Sequence, residues 1–200
     1  MTTLNGIDVS AAGQGANFPW GLYTHKISFA FAKISEGTGY ADPDAAANIA
    51  AARKLGLVVG GYHFLHASAD GELQANWFMA RCKAAALERG DLLAVDVEQG
   101  GIDSTSIAHL WLVAAQFTTV IHDHFGAWPV LYTDISMASS APGLDVLANC
   151  PLWLANPSGA PVTTIGPWKQ ISFEQTSQRG VDCDVFYGDA AALAKLAIPG

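Results

Sequence analysis

The sequence predicts an α/β fold, an irregular TIM-like β/α barrel of eight strands, and three observations carry that expectation. Short β-type runs alternate with helical segments through the first two thirds of the chain; the last third keeps the strands and loses the helices; and acidic residues recur where strands end. Strands alternating with helices build right-handed βαβ units and hence a parallel sheet. At 200 residues the chain is short against the roughly 250 of a complete eightfold barrel, which suits a barrel whose final connections are stripped down. An open doubly wound sheet satisfies the same alternation and stands as the other architecture.

Each element has its own signal. Gly6 to Val9 reads as a strand, and Phe29 to Ile34 as a second. Ala45 to Leu55 is rich in alanine and closed by Gly56, the pattern of a helix with a glycine stop. Val58 to Phe64 is a third strand, and Gly71 to Glu88 a long helical segment closed by Gly90. Leu92 to Val97 is a continuous apolar run of the kind buried on both faces of a parallel sheet. A helix then runs from Ser104 to about Phe125, with Ser104 or Thr105 as N-cap, and leads into a strand at Val130 to Tyr132. Beyond Tyr132, the runs Leu152 to Ala155, Ile171 to Gln175 and Val181 to Phe186 read as strands separated by stretches bearing proline and glycine. The pattern amounts to eight strands and about four or five substantial helices, in a single domain over residues 1–200.

Composition narrows the function. Half the residues are hydrophobic and 14% charged, enough to bury one large core. A formal net charge of −8 without a lysine or arginine run offers no patch to neutralise successive phosphates, so no nucleic-acid partner is expected. The longest apolar stretches, such as Leu57 to Tyr62 and Leu110 to Phe117, fall far short of the roughly 20 residues that span a bilayer; no membrane association is expected, and a soluble monomer is. The opening residues lack the basic and apolar regions of a secretory signal, which predicts accumulation in the cytoplasm of the producing cell. Cys82, Cys150 and Cys183, odd in number and irregularly spaced, fit neither a disulfide framework nor a paired zinc site and read as buried structural thiols made in a reducing compartment.

The acidic residues carry the chemistry. Asp8 lies in Gly-Ile-Asp-Val-Ser, Asp96 and Glu98 in Ala-Val-Asp-Val-Glu, and Asp182 with Asp184 in Val-Asp-Cys-Asp-Val. In a β/α barrel, side chains from several strands converge at the C-terminal strand ends. Residues two apart on a strand leave the same face with Cα atoms about 6.6 Å apart, so Asp96 and Glu98 can reach one bond. Glycoside cleavage requires such a pair, one carboxyl protonated to serve the leaving oxygen and one ionised to stabilise the anomeric centre. Crowded like charges in a partly apolar site separate the two pKa values. A solvated strand-end pair, or a carboxylate capping a following helix, has the same spacing; the apolar run Leu92 to Val95 favours the cleft.

The ordered motifs resemble those of the glycoside hydrolase family 25 muramidases, the lysozymes found among phage endolysins and bacterial autolysins. The match runs from about Leu4 to Asp189: Gly6-Ile7-Asp8-Val9-Ser10 with Gln14-Gly15, Phe31-Ala32-Lys33-Ile34-Ser35-Glu36-Gly37-Thr38-Gly39-Tyr40, Asp42-Pro43 and Asn48. It continues through Gly60-Gly61-Tyr62-His63-Phe64, Gln74-Ala75, Phe78, Asp96-Val97-Glu98, Pro129 to Thr133, Pro151 to Ala155, and Val181-Asp182 with Phe186. The resemblance implies an irregular barrel whose last three strands lack regular helical partners. It implies Glu98 as general acid and base, and Asp96 acting on the substrate's N-acetyl group, with Asp8 and Asp182 completing an acidic floor. Tyr62, Tyr132, Trp153 and Gln175 are the implied sugar contacts, although Tyr62, Tyr132 and Trp153 can equally be packing the barrel top. The implied substrate is the peptidoglycan glycan strand. No metal or organic cofactor is expected. The chain departs from the family pattern near its end, where the usual tryptophan-glutamine-tyrosine strand reads Phe173-Glu174-Gln175-Thr176, and the asparagine usual after the second motif aspartate is Asp184.

Other constellations are weaker. The chitinase type places aspartates two and five residues before the aspartate of its D-x-E pair; Asp91 fits the outer position and Ala94 occupies the inner one. His63 and His66 lack a placed third ligand for zinc. Glu36 beside two glycines reads as a loop anchor, His122 and His124 as helix-end surface residues favoured by the dipole, and Gly37-Thr38-Gly39 is too short to cradle a phosphate. A hydrolase needs Asp8, Asp96, Glu98 and Asp182 together, whereas a non-catalytic glycan-binding barrel does not; a glycosidase for another N-acetylated polymer is a further reading.

Overall fold

The computed structural model describes residues 2–15 and 17–200, and its architecture is a closed barrel. In chain order the elements are β1 (Leu4–Val9), β2 (Phe29–Glu36), β3 (Tyr40–Ala41), α1 (Ala45–Lys54), β4 (Val58–Phe64), α2 (Gly71–Ala84), β5 (Leu92–Asp96) and α3 (Ile107–Phe125). They continue with β6 (Val130–Asp134), α4 (Ile135–Ser140), α5 (Asp145–Ala148), β7 (Leu152–Ala155), β8 (Phe173–Ser177), β9 (Asp182–Phe186) and α6 (Ala190–Ala194). The strands lie in the order β1-β9-β8-β7-β6-β5-β4-β2, and pairing of β1 with β2 closes the ring. Strand β3 is a two-residue flap paired with the end of β2, outside the eight barrel strands.

Two expectations need correction. The sheet is not wholly parallel: β9 runs antiparallel to both β8 and β1. Only residues 178–181 separate β8 from β9, enough for a hairpin but not for the dozen or more residues of a parallel crossover. Among the described residues, α1, α2 and α3 exceed two turns, where four or five such helices were expected; the rest have six residues or fewer. The proline-bearing segments after β6 explain the deficit, since proline removes a donor and clashes with the preceding turn.

Helix bounds also moved by local chemistry. Helix α3 starts later than expected because Ser106, rather than Ser104 or Thr105, caps it by accepting the His109 N–H at 3.1 Å. Helix α2 stops at Ala84, and Ala86 then takes a left-handed φ of 58° that turns the chain back toward β5. At the other end of α2, Gly71 is required: a Cβ there would stand 2.4 Å from the Val113 carbonyl oxygen of α3.

Period-2 alternation divides the apolar side chains into two cores. Inward residues Phe29, Phe31, Leu92, Ala94, Val130, Trp153, Phe173 and Phe186 plug the barrel, while Ile7, Val9, Ala30, Ala32, Val95 and Leu131 point out to meet the helices, with Phe78, Trp111 and Phe117. Room for the plug comes from missing side chains: Cβ atoms at Gly6 and Gly60 would lie 2.3 Å from the Phe29 and Phe31 rings. The aromatic plug closes the barrel from below, so polar side chains above it form a floor rather than a channel.

Candidate active site

Strand β5 presents the central pair. The ladder continues past its last residue, because Leu65 N–H donates to the Asp96 carbonyl at 3.0 Å and Val97 N–H to the Tyr132 carbonyl at 2.9 Å. Glu98 therefore keeps an extended backbone, φ −126° and ψ 166°, and shares the inward face with Asp96. The chain then turns at once, with Gly101 N–H bonded to the Glu98 carbonyl. A Cβ on Gly101 would strike the Leu65 carbonyl oxygen at 2.0 Å, so glycine makes that turn possible.

An open cavity of about 150 Å³ lies over the plug, lined by Asp8, Tyr62, Asp96, Glu98, Tyr132, Trp153, Gln175, Gln178 and Asp182. Every site residue expected from the sequence thus meets the others in one place. Trp153 borders the cavity and also packs the barrel top: it is 2% exposed, with its ring stacked on Phe31 at 4.7 Å. Tyr132 and Gln175 are likewise buried floor groups. The Tyr132 hydroxyl donates to Gln175 Oε1 at 2.9 Å, and Gln175 Nε2 donates to Asp8 Oδ2 at 2.8 Å. The Tyr62 phenol is held neutral by burial and by the charges of Asp8 and Asp96.

Burial dominates the electrostatics. It pushes the Asp8 carboxyl up to about 7, helped by the charge of Asp182. Asp96 is driven well above the usual carboxylate range by burial and then by Glu98, with the Lys33 ammonium opposing. Glu98 is raised by burial, and the nearby Tyr132 hydroxyl opposes that rise. Asp182 is raised by burial as well. Taking charges from water costs far more than nearby dipoles return, so this group of carboxyls holds protons at pH values where free carboxylates have lost them. A cavity with retained protons beside ionisable partners can protonate a leaving oxygen and stabilise positive charge.

Three participants lay outside the expected site. Gln178 donates Nε2 to Gln175 Oε1 at 2.9 Å from the β8–β9 turn, where no periodicity marks it. Lys33, next after Phe29 and Phe31 on the inward face of β2, was detectable from that alternation. Asp184 stands two residues from Asp182 on β9, the same spacing that marked Asp96 and Glu98; it lies beneath the cavity, accepting the Trp153 indole N–H at 2.9 Å.

The remaining candidates have structural roles. His63 is buried outside the barrel, stacked on Phe117 at 5.0 Å and 2.8 Å from Ser35 Oγ, and burial pushes it down to about 3. His66 instead bridges Glu36 at 2.9 Å and Asp103 at 3.0 Å on the rim, and Glu36 also holds Lys33, as a loop anchor should. Asp91 precedes β5 at the far end of the barrel, paired with Arg53 at 2.6 Å. Cys82 and Cys150 are buried and Cys183 partly so, all three as free thiols. His122, at the end of α3, stacks on Trp128 at 4.1 Å.

Comparison with known proteins assigns the barrel. Residues 7–185 match the model of the glycosyl hydrolases family 25. The chain belongs to glycosyl hydrolase family 25. The family 25 chain is 30% identical over 190 residues to N,O-diacetylmuramidase from Chalaropsis sp, covering 88% of each protein. It is 28% identical over 213 residues to Lysozyme M1 from Streptomyces globisporus, spanning 97% of this chain and 71% of that one. Among solved structures, a family GH25 lysozyme from Aspergillus fumigatus superimposes with a TM-score of 0.81 at 28% identity over the whole of both chains. The bacterial lysozyme from Streptomyces coelicolor gives 0.81 at 25% identity, covering 98% of each. As a family 25 member the chain is a glycoside hydrolase with a TIM-like barrel, and the acidic cavity at the C-terminal strand ends is its candidate active site.

Proposed function

We propose that this family 25 hydrolase is a lysozyme that cuts the β-1,4 bond between N-acetylmuramic acid and N-acetylglucosamine in peptidoglycan. The observation that carries the reading is the convergence of Glu98 and Asp96 from one strand face into a cavity that keeps carboxyls protonated. The names of the relatives, a lysozyme and a diacetylmuramidase, supply the substrate class. Glu98 donates its proton to the glycosidic oxygen as the bond breaks. Asp96 orients the acetamido group, whose carbonyl oxygen attacks the anomeric carbon, and Glu98 then activates water against the cyclic intermediate. Asp8 and Asp182 form the acidic floor, while Tyr62 and Tyr132 offer hydroxyls, and Trp153 and Gln175 a rigid base, to the bound sugar.

Digestion of purified peptidoglycan with identification of the new reducing ends tests this. Muramic acid ends are the expected result. Glucosamine ends would make the chain a glucosaminidase, and no new ends would leave a glycan-binding barrel.

A further inference from the structure

Asp184 has no place in the reaction just described, yet it is among the most deeply buried acids of the chain, at 2% exposure. It sits on β9 opposite Gly6 of β1 and Gln175 of β8. Asp8 stands two residues beyond Gly6 on the same inward face of β1, which makes it the diagonal cross-strand neighbour of Asp184, and the two acids act on each other's charge. Oδ1 of Asp184 takes the Trp153 indole N–H; Oδ2 is shielded from solvent and receives no donor among the described residues. Two ionised carboxylates in contact would have no hydrogen between them, and a buried acceptor facing another acceptor is costly. One proton removes the conflict.

We propose that Asp184 is a positioning residue for Asp8: its protonated Oδ2 donates to the Asp8 carboxylate, so the two acids share one proton and carry one negative charge between them. Asp8 is then fixed from two sides, by Asp184 below and by Gln175 Nε2 at 2.8 Å. Gln175 Oε1 in turn accepts from the Tyr132 hydroxyl, so the arrangement runs from Asp184 to a phenol that lines the cavity together with Glu98. Burial, then the charge of Asp8, drives Asp184 well above the usual carboxylate range, in keeping with a retained proton. The groups facing the pair reinforce this. Asp182 on β9 and Glu98 beyond β5 add negative charge, and Tyr62 on β4 and Tyr132 on β6 are neutral phenols. The Cys183 thiol is held protonated by burial and by Asp184, and Lys33 on β2 lies toward Asp96 and Glu98, bonded to Glu36. Loss of the shared proton would set a second buried charge under Asp8 and break the chain of hydrogen bonds, which makes this pair a determinant of the alkaline limit of activity.

The inference rests on the proposed function only for the place of Asp8 in the cleft, and its first readout is independent of turnover. In infrared difference spectra between about pH 5 and pH 8, wild type minus Asp184→Asn should show one protonated-carboxyl carbonyl band. Asp8→Asn should lose the same band, and the double variant no more than either single one. The side-chain amide of Asp184→Asn keeps the shape, an acceptor for Trp153 and a donor for Asp8, but cannot lose its proton. The alkaline limb of kcat/KM on peptidoglycan should therefore move up by about one pH unit or more in Asp184→Asn. Absence of the band, or separate bands for the two acids, overturns proton sharing. A lost band with an unmoved alkaline limb overturns the positioning role. If neither protein cleaves peptidoglycan while the band still depends on both residues, the shared proton stands and the lysozyme reading falls. Should Asp184→Asn fail to fold, the Asp8→Asn spectrum decides on its own.

Discussion

Glu98→Gln isolates proton donation from every other property of the site. Glutamine keeps the shape, the extended backbone and the place near Tyr132, but has no acidic proton. The expected fall in kcat is at least 10²-fold and up to about 10⁴-fold, the range for a positioned general acid, equivalent to about 2.7–5.4 kcal/mol of transition-state stabilisation. Substrate binding should change little, since the floor of Asp8, Gln175 and Trp153 is untouched. The same burial that raises Glu98 sets the sign of the stability change. A carboxyl whose folded pKa lies above its unfolded value adds stability that is present at low pH and lost as pH rises through the folded pKa. A neutral amide has nothing to lose, so near pH 7 Glu98→Gln should melt at the wild-type temperature or higher. Turnover on purified peptidoglycan and calorimetry on the same samples measure both quantities. Near wild-type turnover by the folded variant would remove Glu98 from the mechanism, and a rate loss accompanied by a lower Tm would assign the effect to folding instead.

Four further outcomes are expected. Proton NMR of the earliest product should show the β anomer, because neighbouring-group attack followed by water retains configuration; a first-formed α anomer would exclude a role for Asp96 through the acetamido group. Gly60→Ala should destabilise by about 1–3 kcal/mol as the new methyl meets the Phe31 ring, lowering Tm by about 2–4 °C per kcal/mol; an unchanged Tm would mean the plug is looser than described. Although burial pulls His66 down, its bonds to Glu36 and Asp103 outweigh that and raise it, so Asp103→Asn should lower the His66 pKa followed by NMR; no change would deny the bridge. Turnover should persist in EDTA, since the proposed steps use carboxyls alone; a loss restored by one particular divalent ion would refute that.

Patterns of period two and of helical spacing reveal most strands and the three long helices, because they follow from burying one face of each element against a common core. The carboxylate pair is legible for the same reason: on any extended segment Asp96 and Glu98 share a face, whatever the rest of the chain does. The order of short motifs fixes the family, and with it the class of bond. What pattern cannot supply is direction and depth. Whether β9 enters the sheet parallel or antiparallel depended on the reach of a four-residue link and on which edges remained to be closed. Gln178 is brought in by that link, and its sequence neighbours give no sign of it. Asp184 shows the division most sharply. Its spacing from Asp182 marks it as facing inward, but only the closed barrel sets Gly6 beside it, the aromatic plug beneath it and Asp8 within its reach. Protonation is decided by the loss of water around a group and by the charges packed against it, and both arise only when strands distant in sequence meet.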